Sequence, residues 1–311
     1  MWLHRFAKFV GGATFLLIIA GGLVTSTGSG LSVPDWPLSY GQFFPPMIGG
    51  IRFEHSHRLI AATVALLTFV LMMWMLKTEK RKSLRRLGLL SFAAVVLQAV
   101  LGGITVIYLL PTFVSVIHAC LAQSFFCLLV AISILTSRGW QEAQAEITSS
   151  ASSLHRLLIV TTALIYLQLI LGAIVRHTSG RGIVFHVFVA FLVLSQAIRV
   201  VLRCSRIDSQ SNFHKPAVFF GILVVIQIFL GMGAFIMKIM LRGFAQTGSG
   251  AVLFATAHQA TGALLLATGV FMTLWSFRLF QSPESGSFST NVSNRKAAVD
   301  QTRETSSACH E

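Results

Sequence analysis

The chain has 311 residues, of which 54% are hydrophobic and 11% charged, whereas an average soluble domain carries about 25% charged residues. A mean hydropathy of +0.76 excludes a disordered chain and argues against a soluble enzyme. Lys and Arg number 24 against 10 acids, giving a net charge of +14. By length the prior is about two domains.

Eight apolar stretches follow one another, at roughly 6–24, 57–76, 87–109, 112–135, 154–175, 182–202, 216–237 and 252–277. Each is near the ~20 residues that cross the ~30 Å hydrocarbon core. Backbone groups in lipid need internal partners, so long continuous runs read as helices. A transmembrane barrel would show short alternating segments instead. The first run follows His4, Arg5 and Lys8. It reads as a span rather than a signal peptide, because it is long for one and its loss would leave seven helices.

Cytoplasmic loops retain Lys and Arg. With the N-terminus inside, inner segments hold 18 of the 24 basic residues, including the cluster Lys77, Lys80, Arg81, Lys82, Arg85 and Arg86. The six outer ones are Arg52, Arg58, Arg176, Arg181, Lys238 and Arg242. Both termini are therefore expected in the cytoplasm. The positive charge needs no nucleic acid as partner; it sets topology and attracts anionic membrane lipid. Cys120 and Cys127 fall in the fourth span, Cys204 at an inner loop and Cys309 in the tail, so no outer disulfide framework is expected. The tail 281–311 is polar, without periodicity, and reads as disordered.

The chain repeats itself. Gln98-Ala-Val-Leu-Gly102 recurs as Gln168-Leu-Ile-Leu-Gly172 and as Gln227-Ile-Phe-Leu-Gly231, in spans three, five and seven. The first span ends Gly21-Gly-Leu-Val-Thr-Ser-Thr-Gly28 and the fifth Gly172-Ala-Ile-Val-Arg-His-Thr-Ser-Gly180. The expected fold is all-α and integral to the membrane: eight helices in two pseudo-symmetric four-helix bundles. The bundles cover 1–136 and 154–280, joined by a cytoplasmic linker at 137–153. The glycines read first as points of close helix approach in lipid, and second as room for a flat cofactor.

Each even span carries a histidine near its outer, N-terminal end: His57, His118, His186 and His258. An ionisable group inside a membrane is costly and points to function. One such histidine could simply bond a neighbouring helix, but four in matching positions point to metal ligation. Zinc or copper would bring cysteine or carboxylate partners. Two histidines facing each other across a four-helix bundle suit haem iron. The repeat pairs His57 with His118 and His186 with His258. Both sites would lie at similar depth, which argues against a simple transmembrane electron conduit.

Glu54 lies three residues before His57, and no acid lies near His186 or His258. Residues i and i+3 share a helix face, so Glu54 is a candidate acid or base beside the first site. Its plainer role is an ion pair with Arg52 or Arg58. Arg58 and Arg176 are candidate partners for haem propionates, or interface anchors. His55 and His177 are lesser ligand candidates, outside the fourfold pattern.

At these residues the sequence resembles the haem A synthase family. The matching pieces are Gly21-Gly-Leu-Val-Thr-Ser-Thr-Gly-Ser-Gly-Leu31, Pro34-Asp-Trp-Pro37 and Glu54-His-Ser-His-Arg58, completed by His118, His186 and His258. The resemblance implies an eight-helix oxidoreductase that turns a methyl group of haem O into the formyl group of haem A. It implies that His57 and His118 flank the substrate haem, with Glu54 beside it, and that His186 and His258 ligate haem b. It further implies a haem O-producing enzyme as supplier, a terminal oxidase as recipient, and a bacterial plasma membrane location; a homo-oligomer stays open. Many members carry a cysteine pair in the first outer loop. Here Val33 precedes Pro34-Asp-Trp and the loop has none, which resembles the cysteine-free branch. Two other readings use the same scaffold: a di-haem b-type electron-transfer protein or quinol oxidoreductase, and a transporter or proton channel.

Overall fold

The computed structural model describes residues 2–207, 213–237 and 248–283. Within them, eight helices are long and apolar enough to cross a membrane. They are α1 (Trp2–Ser26), α2 (Ile51–Thr78), α3 (Lys82–Ile107), α4 (Thr112–Leu135), α6 (Ala151–His177), α7 (Ile183–Ser205), α8 (His214–Phe235) and α9 (Ser249–Leu279). A short α5 (Arg138–Glu142) lies between the fourth and fifth spans. The tail beyond 283, with Cys309, and the expected outer residues Lys238 and Arg242 lie outside the described residues.

Most helices outrun their apolar stretches. Hydropathy marks only the part matched to lipid, while the backbone hydrogen-bond ladder continues into polar residues. This matters most in α2, which begins at Ile51 and so carries Glu54, His57 and Arg58 on one continuous helix. The reversals are tight. Between α3 and α4, Leu109 and Leu110 adopt φ of 57° and 60°, and Pro111 precedes the new helix. Between α6 and α7, Gly180 (φ 99°) and Gly182 (φ 80°) take backbone positions that a Cβ would strain.

The expected linker is partly structured. Ser137 caps α5 by accepting from the Trp140 N–H at 3.1 Å. Glu146–Ile147 (β1) pairs in parallel with Phe280–Gln281 (β2). Trp140 meets Trp275 edge-on, and Arg278 donates to the Trp140 carbonyl. Ordered chain therefore runs past the expected tail boundary at 281, because Phe280 is buried and Gln281 pairs with the linker.

Packing forms two rings. In the first, α1 touches α2 and α4, and α3 touches α2 and α4; in the second, α6 touches α7 and α9, and α8 touches α7 and α9. Each ring has its own apolar core, one around Val10, Leu71 and Leu129, the other around Leu154, Phe220 and Met272. The rings join where α1 and α4 meet α9, through Ile18, Phe126, Ala263 and Ala267, and where α4 meets α6, with Ser124 and Tyr166 2.8 Å apart. Lipid tails are as apolar as Leu, so no hydrophobic force drives these helices together; close packing and interhelical hydrogen bonds do. Ser26 and Thr256 bond at 2.9 Å between α1 and α9, and Thr162 and Thr273 at 3.1 Å between α6 and α9. A Cβ on Gly22 of α1 would lie 3.2 Å from Thr256 of α9.

Gly22→Leu is expected to push α1 from α9 and cost about 1–3 kcal/mol, the usual range for overpacking. A Cβ at Gly12 meets nothing within 4 Å, so Gly12→Leu is the control and should leave stability unchanged. Thermal unfolding of both proteins in detergent checks the pair.

Candidate functional site

Each of the four sequence-predicted histidines presses its imidazole edge against a glycine of the preceding helix. A Cβ at Gly21 would lie 3.1 Å from Cε1 of His57, one at Gly102 3.5 Å from His118, one at Gly172 3.0 Å from His186, and one at Gly231 2.8 Å from His258. The glycines therefore admit imidazoles, a role distinct from both sequence readings of them. The residue missed was glutamine. Gln98, Gln168 and Gln227 stand four positions before Gly102, Gly172 and Gly231, hence on the same helix face. Gln98 Nε2 donates to the His118 carbonyl and Gln168 Nε2 to the His186 carbonyl, both at 2.9 Å. Gln227 Nε2 lies 3.5 Å from His258 Nε2, and the Gln227 carbonyl lies 3.1 Å from His258 Nδ1. The repeated Gln-x-x-x-Gly was visible in the sequence; it reads as repetition until a partner helix shows what it touches.

His186 and His258 face each other with ring centroids 6.2 Å apart and planes at 75°. An iron held between two ring nitrogens, each at the roughly 2 Å of imidazole–metal bonds, puts ring centres about 6 Å apart. With Nδ1–H of His258 donating to the Gln227 carbonyl, Nε2 is its acceptor nitrogen, and glutamine amides stand 3.5 Å from that atom and 3.3 Å from His186 Nε2, in the place a metal would take. Buried Nδ1 atoms of His57, His118 and His186 have no protein hydrogen bond. Among the described residues, no group of three or more His, Cys, Asp or Glu side chains gathers to hold a metal ion. A metal porphyrin asks for only two protein ligands, and the spacing of His186 and His258 fits that demand.

Glu54 is 3% exposed. Its Oε1 accepts from Arg58 Nη2 at 2.6 Å, and its Oε2 accepts from the Val33 N–H at 2.9 Å. Arg58 also donates to the carbonyls of Asp35 and Leu38 at 2.6 Å and of Val33 at 3.2 Å. The plainer sequence role for Glu54, pairing with Arg58, is thus present. This pair grips the α1–α2 loop, 27–50, around the fully buried Val33. Trp36 of the same loop lies over Gly103 of α3. Asp35 accepts from the Tyr40 and Gly41 N–H groups at 2.7 and 2.8 Å. Burial opposes its charge, but those two donors, with Arg58 nearby, hold the carboxyl below its usual range. This cap therefore persists above the ordinary aspartate pKa and is lost only as pH falls through the lowered value.

Arg176 bridges the rings instead of standing free. Its Nη2 donates to the Gly22 carbonyl at 2.8 Å and to Ser26 Oγ at 2.7 Å, and its Nη1 to the Ala255 carbonyl at 3.4 Å. Both arginines assigned to propionates by the sequence thus already hold protein oxygens. His55 is buried, with Nδ1 2.8 Å from Ser39 Oγ of the loop. His177 ends α6 beside Arg176. Cys120, Cys127 and Cys204 are free thiols.

Arg58→Ala would leave the buried Glu54 carboxylate unpaired and release three loop carbonyls. The expected loss is about 3–5 kcal/mol, as for removing one partner of a buried pair. Amide hydrogen exchange at Val33 and through 27–50 should rise, while exchange in α6 to α9 should not.

A family model described as COX15-CtaA, cytochrome oxidase assembly protein, matches residues 4–49 and 53–185. That region contains Glu54, His57, Arg58, His118 and Arg176 and stops one residue before His186. The chain is 30% identical over 184 residues to a protein of Exiguobacterium sibiricum named heme A synthase, covering 57% of this chain and 60% of the relative. It is 28% identical over 172 residues to one of Bacillus licheniformis, covering 54% and 56%, and 28% identical over 185 residues to one of Geobacillus kaustophilus, covering 57% and 58%, both bearing the same name. The match spans about three fifths of the length of these relatives. The chain is a multi-pass bacterial membrane protein and belongs to the COX15-CtaA family of cytochrome oxidase assembly proteins.

Proposed function

We propose that this chain is a haem A synthase, oxidising a ring methyl group of haem O to a formyl group in successive steps. The observation that carries the reading is the difference between the two rings. Both hold glycine-seated histidines at corresponding places. Among the described residues, Glu54 of the first ring is the acid found buried, one helical turn from His57. Membership of the COX15-CtaA family and the name borne by the relatives support the same reading.

In this scheme the first ring takes haem O from the surrounding lipid. His57 and His118 hold its iron and orient the ring. Each Glu54 oxygen has one protein partner and keeps capacity for a further hydrogen bond. Glu54 accepts the proton released at the reacting carbon or stabilises positive charge there. Arg58 and Val33 hold its carboxylate in one orientation, so little reorganisation is needed when charge develops. The gripped loop keeps bulk water off this side of the site.

In the second ring, His186 and His258 would hold haem b. When bound, haem b would supply one-electron transfer, its potential tuned by the ligating imidazoles and the polarity around them. Gln168 and Gln227 fix the orientation of these imidazoles, and Gly172 and Gly231 admit them. Arg58 and Arg176, at the ends of α2 and α6, would have to share their guanidinium groups between a propionate and the protein oxygens they already hold. The two rings are pseudo-symmetric halves of one unit, with both termini in the cytoplasm. A haem O-producing enzyme supplies the substrate and a terminal oxidase receives haem A.

The test is a chromatogram of haem extracted from the full chain, expressed in membranes that make haem O but lack their own synthase. Hydroxylated haem and haem A are expected. Glu54→Gln should lower their yield about 100-fold, the lower end of what a general acid or base contributes, with haem B content unchanged. A chain that yields only haem B, whatever stands at position 54, would instead be the electron-transfer protein. The glycine contacts add a graded expectation. Gly231→Ala should release haem B, because its Cβ would lie 2.8 Å from His258, while Gly102→Ala at 3.5 Å should be tolerated.

A further inference from the structure

The corner between α2 and α3 carries charge that neither haem site uses. A recess of about 260 Å³ opens there, lined by Leu76, Lys82, Arg85, Arg86 and Leu89. Four of these stand at 82, 85, 86 and 89 on α3, the spacing of a single helix face. The three cations are exposed. The nearby acid, Glu79, is already taken: both its oxygens bind Arg81, which also donates to the Leu135 carbonyl at the end of α4. Among the described residues, Lys82, Arg85 and Arg86 form no salt bridge. Directly along the same face, Leu89, Val96 and Val100 are each 47% exposed. The recess is thus cationic at the helix end and apolar below it, at the depth where a headgroup meets an acyl chain.

We propose that this recess binds one anionic glycerophospholipid, its phosphate held by Lys82, Arg85 and Arg86 and an acyl chain laid along Leu89, Val96 and Val100. Arginine matches phosphate oxygens in a two-point fork and lysine adds a point charge. A free phosphate would use the cations and leave the apolar stripe without purpose; the stripe is what selects a lipid. General attraction of a basic loop to an anionic surface depends only on the number of charges, whereas a site depends on which ones.

The experiment uses the purified full chain in detergent, titrated with phosphatidylglycerol or phosphatidylcholine and read by native mass spectrometry. One phosphatidylglycerol is expected to bind at least tenfold tighter than phosphatidylcholine. The variant Lys82→Gln, Arg85→Gln, Arg86→Gln should lose that preference. The variant Lys77→Gln, Lys80→Gln, Arg199→Gln removes the same number of charges outside the recess and should keep it. Lys82→Arg with Arg85→Lys and Arg86→Lys should restore most of the binding, which separates lost recognition from lost folding. Inorganic phosphate or the glycerophosphoglycerol headgroup, without acyl chains, should not compete at equal concentration. Equal losses in the two glutamine variants, no preference for phosphatidylglycerol, or full competition by phosphate would each overturn the proposal.

Discussion

Four contacts between a glycine backbone and an imidazole edge fix the geometry on which the rest of this molecule depends. In lipid, two helices gain nothing from hiding apolar surface, so their approach is decided by what their side chains allow. At Gly21, Gly102, Gly172 and Gly231 there is no Cβ, and the next helix brings a histidine into that space. A bulkier residue would move the imidazole by tenths of an ångström, a large error for a group held at metal–ligand distance. Glutamine one turn earlier in α3, α6 and α8 adds a polar bond to the same histidines. Helix spacing and histidine placement are therefore one constraint, repeated around each ring.

The rings are bound to each other by the same logic. Consecutive residues of α1 serve both sides: Gly21 faces His57, while Gly22 faces Thr256 and Gln259 of α9, next to His258. Arg176 of α6 reaches Gly22 and Ser26 of α1 and Ala255 of α9. A buried guanidinium without acceptors would be costly in the membrane, so it holds α1, α6 and α9 in one arrangement. The α1–α2 loop is gripped in a similar way. Glu54 and Arg58 take the N–H and C=O of Val33 together. That grip needs no covalent bond, and it places the ion pair at the mouth of the first ring.

Much of this was legible in the sequence. The spans, the Gln-x-x-x-Gly repeat and the histidine in every even span are local patterns in composition and spacing. The asymmetry of Glu54 was equally plain, because acids are scarce and its neighbours are on the same helix. The short helix α5 and the β1–β2 pair were not legible, since five- and two-residue elements carry no periodicity. The pairing of Arg58 with Glu54 was readable, but its other partners and those of Arg176 were hidden. Their acceptors are mostly backbone carbonyls, which every residue possesses and no sequence pattern marks.

The sequence by itself determined that the chain has eight stretches fit to cross a membrane, repeats its histidines and has one half with a carboxylate beside them. These follow from the length and polarity that a bilayer demands of each segment. Only the tertiary structure decided what the glycines face, that Glu54 is tied to a loop, and that Arg176 joins the rings. Those facts rest on close approach between distant segments, Gly22 and Arg176 being 154 residues apart and Ser26 and Thr256 230. Such approach is set by packing between helices, which spacing along one helix does not encode.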